Sequence, residues 1–226
     1  MCGRFTLTVD PADLQMRLEL GDLPTGLQPR YNIAPTQLVA VVTNPQDRRV
    51  ELFGWGLIPM WAKDPTIGSR MINARAETLP EKPAFRAAFT KRRCLILADG
   101  FYEWQKIEQG NRMLKQPHHI RLASHEPFAF AGLWETWKSP EGEAKRTCTI
   151  ITCEPNELMA TIHNRMPVIL DKETMWDWLQ PDATPIALRA LLVPYEKPMV
   201  MHPVSTLVNK PENDTPECIA DEETKK

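Results

Sequence analysis

Cys2 is the residue whose type and place first suggest chemistry, because it follows Met1 and opens the run Met1-Cys2-Gly3-Arg4-Phe5. Removal of Met1 ahead of so small a side chain would leave an α-amine and a thiol on adjacent carbons. Free groups of these kinds titrate at about 8 and about 8.5, so both are partly nucleophilic near neutrality. Such a 1,2-aminothiol captures aldehydes: the amine forms a Schiff base and the thiolate then closes a five-membered thiazolidine. Taken alone, a cysteine after an initiator methionine more often does no chemistry at all.

Aldehyde capture needs proton transfer, for which a glutamic acid and a histidine are suited. Glu103 sits between Tyr102 and Trp104 in an apolar strand. An isolated glutamate in a strand would otherwise face solvent. His163 follows an apolar helical segment and precedes Arg165 and Pro167, where a core or capping histidine is the alternative. Asn73 could equally be a turn residue bonding its own backbone. His118 and His119 are adjacent on an expected strand, so their side chains point to opposite faces and do not share a metal. Cys148 and Cys153 lack a second cysteine pair, and we expect neither metal nor cofactor.

The elements that must position these residues read as follows. Residues 3–8 form an expected strand, and Asp10-Pro11 opens a helix through Leu20. Residues 21–31 read as loop, and 37–43 with 49–55 as a hairpin around Asn44-Pro45. Residues 55–61 form an aromatic loop, 71–76 a short extended segment and 82–91 a helix. The apolar run 94–98, the turn Asp99-Gly100 and the strand 101–105 predict a second hairpin. Strands follow at 118–122, 128–134 and 147–153, with short helices at 155–162, 172–179 and 185–192. With 21 prolines and no regular strand-helix alternation, the pattern predicts a single α+β domain, mainly an antiparallel sheet or barrel with short surrounding helices.

Composition bounds the rest. The 226 residues are 42% hydrophobic and 25% charged, with five cysteines and no Cys-x-x-Cys. No signal sequence or membrane-length apolar run is present, so a cytoplasmic protein with reduced thiols is expected. The net charge of −2 conceals an acidic end, because residues 211–226 hold six acids and two lysines. The body before it is mildly basic, with candidates for a local groove at Arg4, Arg70, Arg75, Arg86, Lys91, Arg92, Arg93 and Arg165.

Seven short motifs then occur in order. They are Met1–Phe5, Arg30-Tyr31-Asn32-Ile33-Ala34-Pro35, Trp55-Gly56-Leu57-Ile58-Pro59, Ile72-Asn73-Ala74-Arg75-Ala76-Glu77-Thr78, Ala98-Asp99-Gly100-Phe101-Tyr102-Glu103-Trp104, Ile162-His163-Asn164-Arg165-Met166-Pro167-Val168 and His202-Pro203-Val204-Ser205. Together they resemble the SOS response-associated peptidase (SRAP) family of abasic-site processing proteins, from Met1 to about Glu217. The resemblance implies an SRAP domain over 1–217, with 218–226 as a flexible acidic tail. It implies capture of abasic sites in single-stranded DNA as a thiazolidine crosslink, by a monomer whose replication partners the sequence does not name.

By the same resemblance Cys2 matches the nucleophile, Asn73 the residue sensing the abasic site, and Glu103 and His163 the residues that stabilise and process it. Arg4, Arg75 and Arg165 match positions near the bound strand, and Trp61 an aromatic position that supports DNA beside the lesion; Trp104, which could stack on a flanking base, and Pro35 are further candidate DNA contacts. Two departures bear on that surface: Ala62 stands where the family often has a second tryptophan, and Thr66-Ile67-Gly68-Ser69 are additional. Weak strand-cleaving lyase activity and crosslink reversal through His163 follow as side expectations. The alternatives are a thiol peptidase using Cys2 and His163, its peptide cleavage limited to Met1, and a single-strand-binding module that crosslinks nothing.

Overall fold

The computed structural model describes residues 2–110 and 112–222. In chain order its first half comprises β1 (Phe5–Leu7), α1 (Pro11–Leu18), β2 (Arg30–Ile33), β3 (Leu38–Val42), β4 (Val50–Trp55), β5 (Asn73–Arg75), α2 (Pro83–Lys91), β6 (Arg93–Ala98) and β7 (Gly100–Gln109). The second half adds β8 (Arg112–Leu122), β9 (Phe128–Lys138), β10 (Ala144–Cys153), α3 (Glu157–Ala160), β11 (Met166–Pro167), β12 (Ile169–Leu170), α4 (Met175–Leu179), α5 (Pro185–Ala190) and β13 (Met199–Pro203).

Five strands close into a barrel. β4, β3, β6, β9 and β10 pair antiparallel in that order, and β10 returns to β4 as a parallel neighbour. Closure removes the exposed edges that an open sheet would present. β5 and β11 attach to β10, and β12 to β9. A second, antiparallel sheet runs β13-β8-β7-β1-β2. Its inner face packs on the barrel through Phe5, whose ring meets Trp55 at 5.1 Å and Phe130 at 5.5 Å between centroids. The expected α+β fold built on antiparallel strands is therefore the observed one.

Local rules account for the helices. Asp10 caps α1 by accepting from Ala12 N at 2.9 Å, Pro11 takes the first helical position, and Leu14 and Leu18 face the core. The helix stops two residues before the expected Leu20, where Glu19 turns left-handed at φ 52°. The helices after β10 are also shorter than expected, because their ends are prolines, turns and side-chain caps rather than further helical turns.

The predicted hairpin at Asp99-Gly100 does not form. β6 belongs to the barrel and β7 to the second sheet, so the chain crosses between layers there. The Asp99 carboxylate explains the crossing. It accepts from Thr6 Oγ1 at 2.6 Å, Thr8 Oγ1 at 2.7 Å, Val9 N at 3.0 Å and Thr8 N, pinning the crossing to the end of β1. Gly100 is required because a Cβ there would lie 2.3 Å from His119 Nε2.

The acidic stretch does not leave the body at residue 217. Cys218 is buried and Asp221 bridges Val204, so residues 204–222 form a strap over the outer face of the second sheet. Residues 223–226 of the expected tail lie outside the described residues. Among the described residues no helix is long and apolar enough to cross a membrane.

Replacing Asp99 with Ala strips two backbone donors and two hydroxyls of a charged acceptor. We expect a loss of about 2–4 kcal/mol in urea unfolding. An unchanged midpoint would show that the crossing is held by other means.

Candidate active site

The amino terminus is placed by β1. Phe5 pairs with Phe101, and Tyr102 N donates to Arg4 O at 3.0 Å, which extends the ladder and lays Cys2-Gly3 beside Glu103-Trp104. Cys2 is fully buried, with its Sγ 3.7 Å from Arg4 O. Burial pushes the thiol well above its ordinary range, and the Glu103 charge pushes it further the same way. Glu103 is only 4% exposed, as its apolar flanks suggested.

Asn73 reaches the same point from the barrel side. It opens β5, opposite Ile150 of β10, and Ile72 beside it is fixed by bonds from Trp55 Nε1 at 2.9 Å and Ile150 N at 3.0 Å. Its Nδ2 donates to Cys2 O at 2.8 Å. Its Oδ1 is buried without a hydrogen-bond partner among the described residues, so an acceptor beside the Cys2 backbone is held ready for a donor.

His163 comes to the end of β5 through β10 and β11, where Thr152 pairs with both Arg75 and Pro167. Its N bonds Met159 O at 2.8 Å after α3, which Asn156 caps. Its Nδ1 lies 3.0 Å from Arg165 N and 3.2 Å from Arg165 O, so the Arg165 backbone holds the ring.

The candidate DNA contacts divide into two groups. Arg75 and Trp61 are exposed, Trp61 at 61%. The loop that carries Trp61 is anchored by Trp137 Nε1 on Ala62 O at 2.7 Å, and the additional residues lie in a 3-10 turn, Pro65–Arg70, capped by Asp64. That turn walls a depression of about 360 Å³ together with Trp61, Lys63 and Arg70.

The remaining candidates are engaged within the protein. Arg165 forks onto Glu77 at 2.5 and 3.0 Å and reaches Thr152 O at 2.6 Å, holding the Glu77 carboxyl below its ordinary range. Arg4 Nη1 donates to Asn32 Oδ1 at 2.7 Å and Val208 O at 2.6 Å, and its guanidinium lies 5.9 Å from the Trp104 ring. Trp104 Nε1 donates to Asn209 Oδ1 at 2.7 Å, and Pro35 is half-buried after β2.

Two residues near the site were missed by sequence reading. Asn32 holds Arg4 and clasps the strap through Val208 O, Lys210 O and Asn213 O. His118 stands directly opposite Glu103 on β8, and both are buried. Alternation gave His118 a face but no partner, since the partner depends on the register between β7 and β8. His119 points the other way, as expected, with its ring 5.2 Å from Tyr102 and 5.5 Å from His202. Among the described residues no three His, Cys, Asp or Glu side chains converge as metal ligands would.

Comparison with known proteins places this geometry among relatives. The sequence model of the family described as SOS response associated peptidase (SRAP) matches residues 1–211. The abasic site processing protein YoqW of Bacillus subtilis is 48% identical over 224 residues, covering 97% of this chain and 99% of YoqW. The abasic site processing protein HMCES of Xenopus tropicalis is 32% identical over 265 residues, covering 97% of this chain and 78% of its own length. A crystal structure of a Bacteroides thetaiotaomicron protein superposes with a TM-score of 0.86 at 27% identity, covering 97% of this chain and 99% of that one. A phage-related protein of Bordetella bronchiseptica superposes with a TM-score of 0.69, also at 27% identity, covering 91% of this chain and 95% of that one.

The raised thiol of Cys2 predicts its pH response. Alkylation of Cys2 in the folded protein, followed by peptide mass spectrometry, should rise about tenfold per pH unit and pass the ordinary thiol range near 8.5 without a plateau. Glu103→Gln removes the charge that opposes ionisation, so it should speed alkylation at a given pH. A slower or equal rate would remove that charge as a cause.

Proposed function

The chain belongs to the SOS response associated peptidase family, and from that premise we propose that it processes abasic sites in DNA by bonding Cys2, freed of Met1, to the ring-opened sugar. The observation that carries this reading is the convergence on Cys2 of a buried carboxyl group, Glu103, and an amide, Asn73, from two different sheets.

In the proposed reaction the α-amine of Cys2 adds to the C1′ aldehyde. The carbinolamine loses water to give an imine. The thiol then adds its sulfur to the imine carbon, its proton ends on the amine nitrogen, and the thiazolidine closes. The balance is one aldehyde and one aminothiol giving one ring and one water. Glu103 relays a proton in both steps, from the carbinolamine nitrogen to the departing hydroxyl and then from the thiol to the ring nitrogen. Asn73 holds the Cys2 carbonyl through Nδ2 and offers Oδ1 to the amine or to a sugar hydroxyl. His163 is suited to protonating the sugar oxygen during ring opening and to reversing the adduct.

The Cys2 environment favours this reading over a thiol peptidase. Burial and the Glu103 charge both keep the proton on sulfur at rest, whereas a peptidase thiol is activated as a thiolate before it meets substrate. For aldehyde capture the amine acts first, and the thiol is needed only once an imine stands beside it. An imine at C1′ also promotes β-elimination, so weak strand cleavage accompanies the proposal.

The substrate is single-stranded DNA, bound by a monomer in the cytoplasm. Arg75 grips phosphate directly, and Trp61 supplies a stacking surface worth about 1–3 kcal/mol per base. Arg4 and Arg165 contribute positive potential while keeping their contacts within the protein, and Pro35 and Trp104 shape the wall.

A single-stranded oligonucleotide with one abasic site should give a heat-resistant shifted band on a denaturing gel. Cys2→Ala should lose that band yet still yield a Schiff base trapped by borohydride. Equal durability of the Cys2→Ala adduct would defeat the thiazolidine. Glu103→Gln should slow band formation about a hundredfold or more, and intact mass should show Met1 absent.

A further inference from the structure

Arg4 places a cation two residues from Cys2, and its own carbonyl stands 3.7 Å from the Cys2 Sγ. Its guanidinium turns inward, where Nη1 donates to Asn32 Oδ1 at 2.7 Å and to Val208 O at 2.6 Å, and Nε is buried without a hydrogen-bond partner among the described residues. Other inward-turned arginines nearby are answered by carboxylates, Arg165 by Glu77 and Arg30 by Asp214. No carboxylate among the described residues bonds Arg4, on which Glu212 acts only from a distance. Both of its acceptors are neutral, and so is the Trp104 ring 5.9 Å away. A charge held by neutral oxygens keeps its field, whereas one bonded to a carboxylate loses most of it.

Asn32 is held so that it can only be such a neutral acceptor. Its main chain is fixed by Asp214, whose Oδ1 accepts from Asn32 N at 2.8 Å while the same carboxylate binds Arg30 and Tyr31 N. Its side chain is fully buried, and Nδ2 lies within 3.2 Å of three carbonyl oxygens, those of Val208, Lys210 and Asn213. Carbonyls only accept and a guanidinium only donates, so the amide has one orientation, with Oδ1 toward Arg4. An aspartate here would turn an anionic oxygen onto those carbonyls and would neutralise Arg4. The strap thus excludes a carboxylate from the place where an ion pair would otherwise form.

We propose that Asn32 is a positioning residue for strand binding: it fixes the Arg4 guanidinium through a neutral oxygen, so that the charge stays uncompensated beside Cys2 and acts on the phosphate next to the lesion. This role rests on the abasic-site reading for its substrate. It gives the strap a part in binding as well, because Asn32 takes its orientation from residues 208–213.

A double-mutant cycle separates this role from that of a mere clamp on the strap. Binding is measured at several salt concentrations with a single-stranded oligonucleotide whose abasic aldehyde has been reduced to the alcohol, so that no crosslink forms. Arg4→Gln should lower the slope of log affinity against log salt by about 0.7, the value for one phosphate. Asn32→Ala should weaken binding about tenfold alone and less than about twofold when Arg4→Gln is already present. Asn32→Asp should lower the slope as Arg4→Gln does, because it gives the guanidinium a carboxylate. Equal losses from Asn32→Ala in both backgrounds, as a clamp alone would give, or an unchanged slope in folded Asn32→Asp protein, overturns the assignment. Circular dichroism reports folding, and if Asn32→Asp does not fold, the alanine cycle decides. Wild-type crosslinking of the unreduced oligonucleotide is scored in parallel. A coupled cycle without a crosslink removes the thiazolidine alone, and a crosslink with an uncoupled cycle removes the Asn32 role alone.

Discussion

A residue at the very start of a strand-forming chain has few covalent neighbours to fix it, so what orients Cys2 must come chiefly from non-covalent contacts. The ladder between β1 and β7 supplies most of that support, and the Asn73 amide on the Cys2 carbonyl supplies the rest. The remainder of the molecule follows from these two holds. The second sheet exists around β1, with β7 on one side and β2 on the other. The closed barrel fixes β10, and β10 fixes β5, which brings Asn73 to the cysteine from the opposite direction. Neither sheet alone would define the position of Cys2.

The charged residues around this point are arranged to stabilise the site more than to face solvent. Arg165 spends its fork on Glu77 and Thr152, and so ties the segment bearing His163 to the end of β10. Arg4 lies between Asn32, Val208 and Trp104, with burial drawing its pKa below the ordinary guanidinium range. Mutating either residue would disturb both potential and geometry, so a loss of DNA binding on its own would not identify a phosphate contact. Arg75 is different, because its side chain is exposed on the edge strand β5.

Much of this was legible in the sequence where a rule is local. The cap at Asp10, the β3–β4 hairpin and the opposite faces of His118 and His119 all depend on neighbours within a few residues. The crossing at Asp99-Gly100 was not legible, because Asp-Gly between two apolar runs signals a turn by the same local rules. The choice was made by Thr6, Thr8 and Val9, some ninety residues earlier in the chain. The inward commitment of Arg4 was hidden for the same reason, since its partners are Asn32 and a carbonyl at Val208. The β7–β8 pair is legible only at its inner end, residues 101–105 and 118–122, because its outer half mixes charged and apolar residues without a buried face. Glu103 was the favourable case: its apolar neighbours are adjacent in sequence, so its burial could be inferred without knowing the fold.

The strap over the second sheet bears on the order of events during synthesis. Arg4 is completed by Val208, and the strap that supplies it packs as far as Asp221. A ribosome releases Arg4 204 residues before Val208. The contacts that hold Arg4 beside the start of β1 therefore close only after the strap has been made, so a chain cut short before Val208 would lose them.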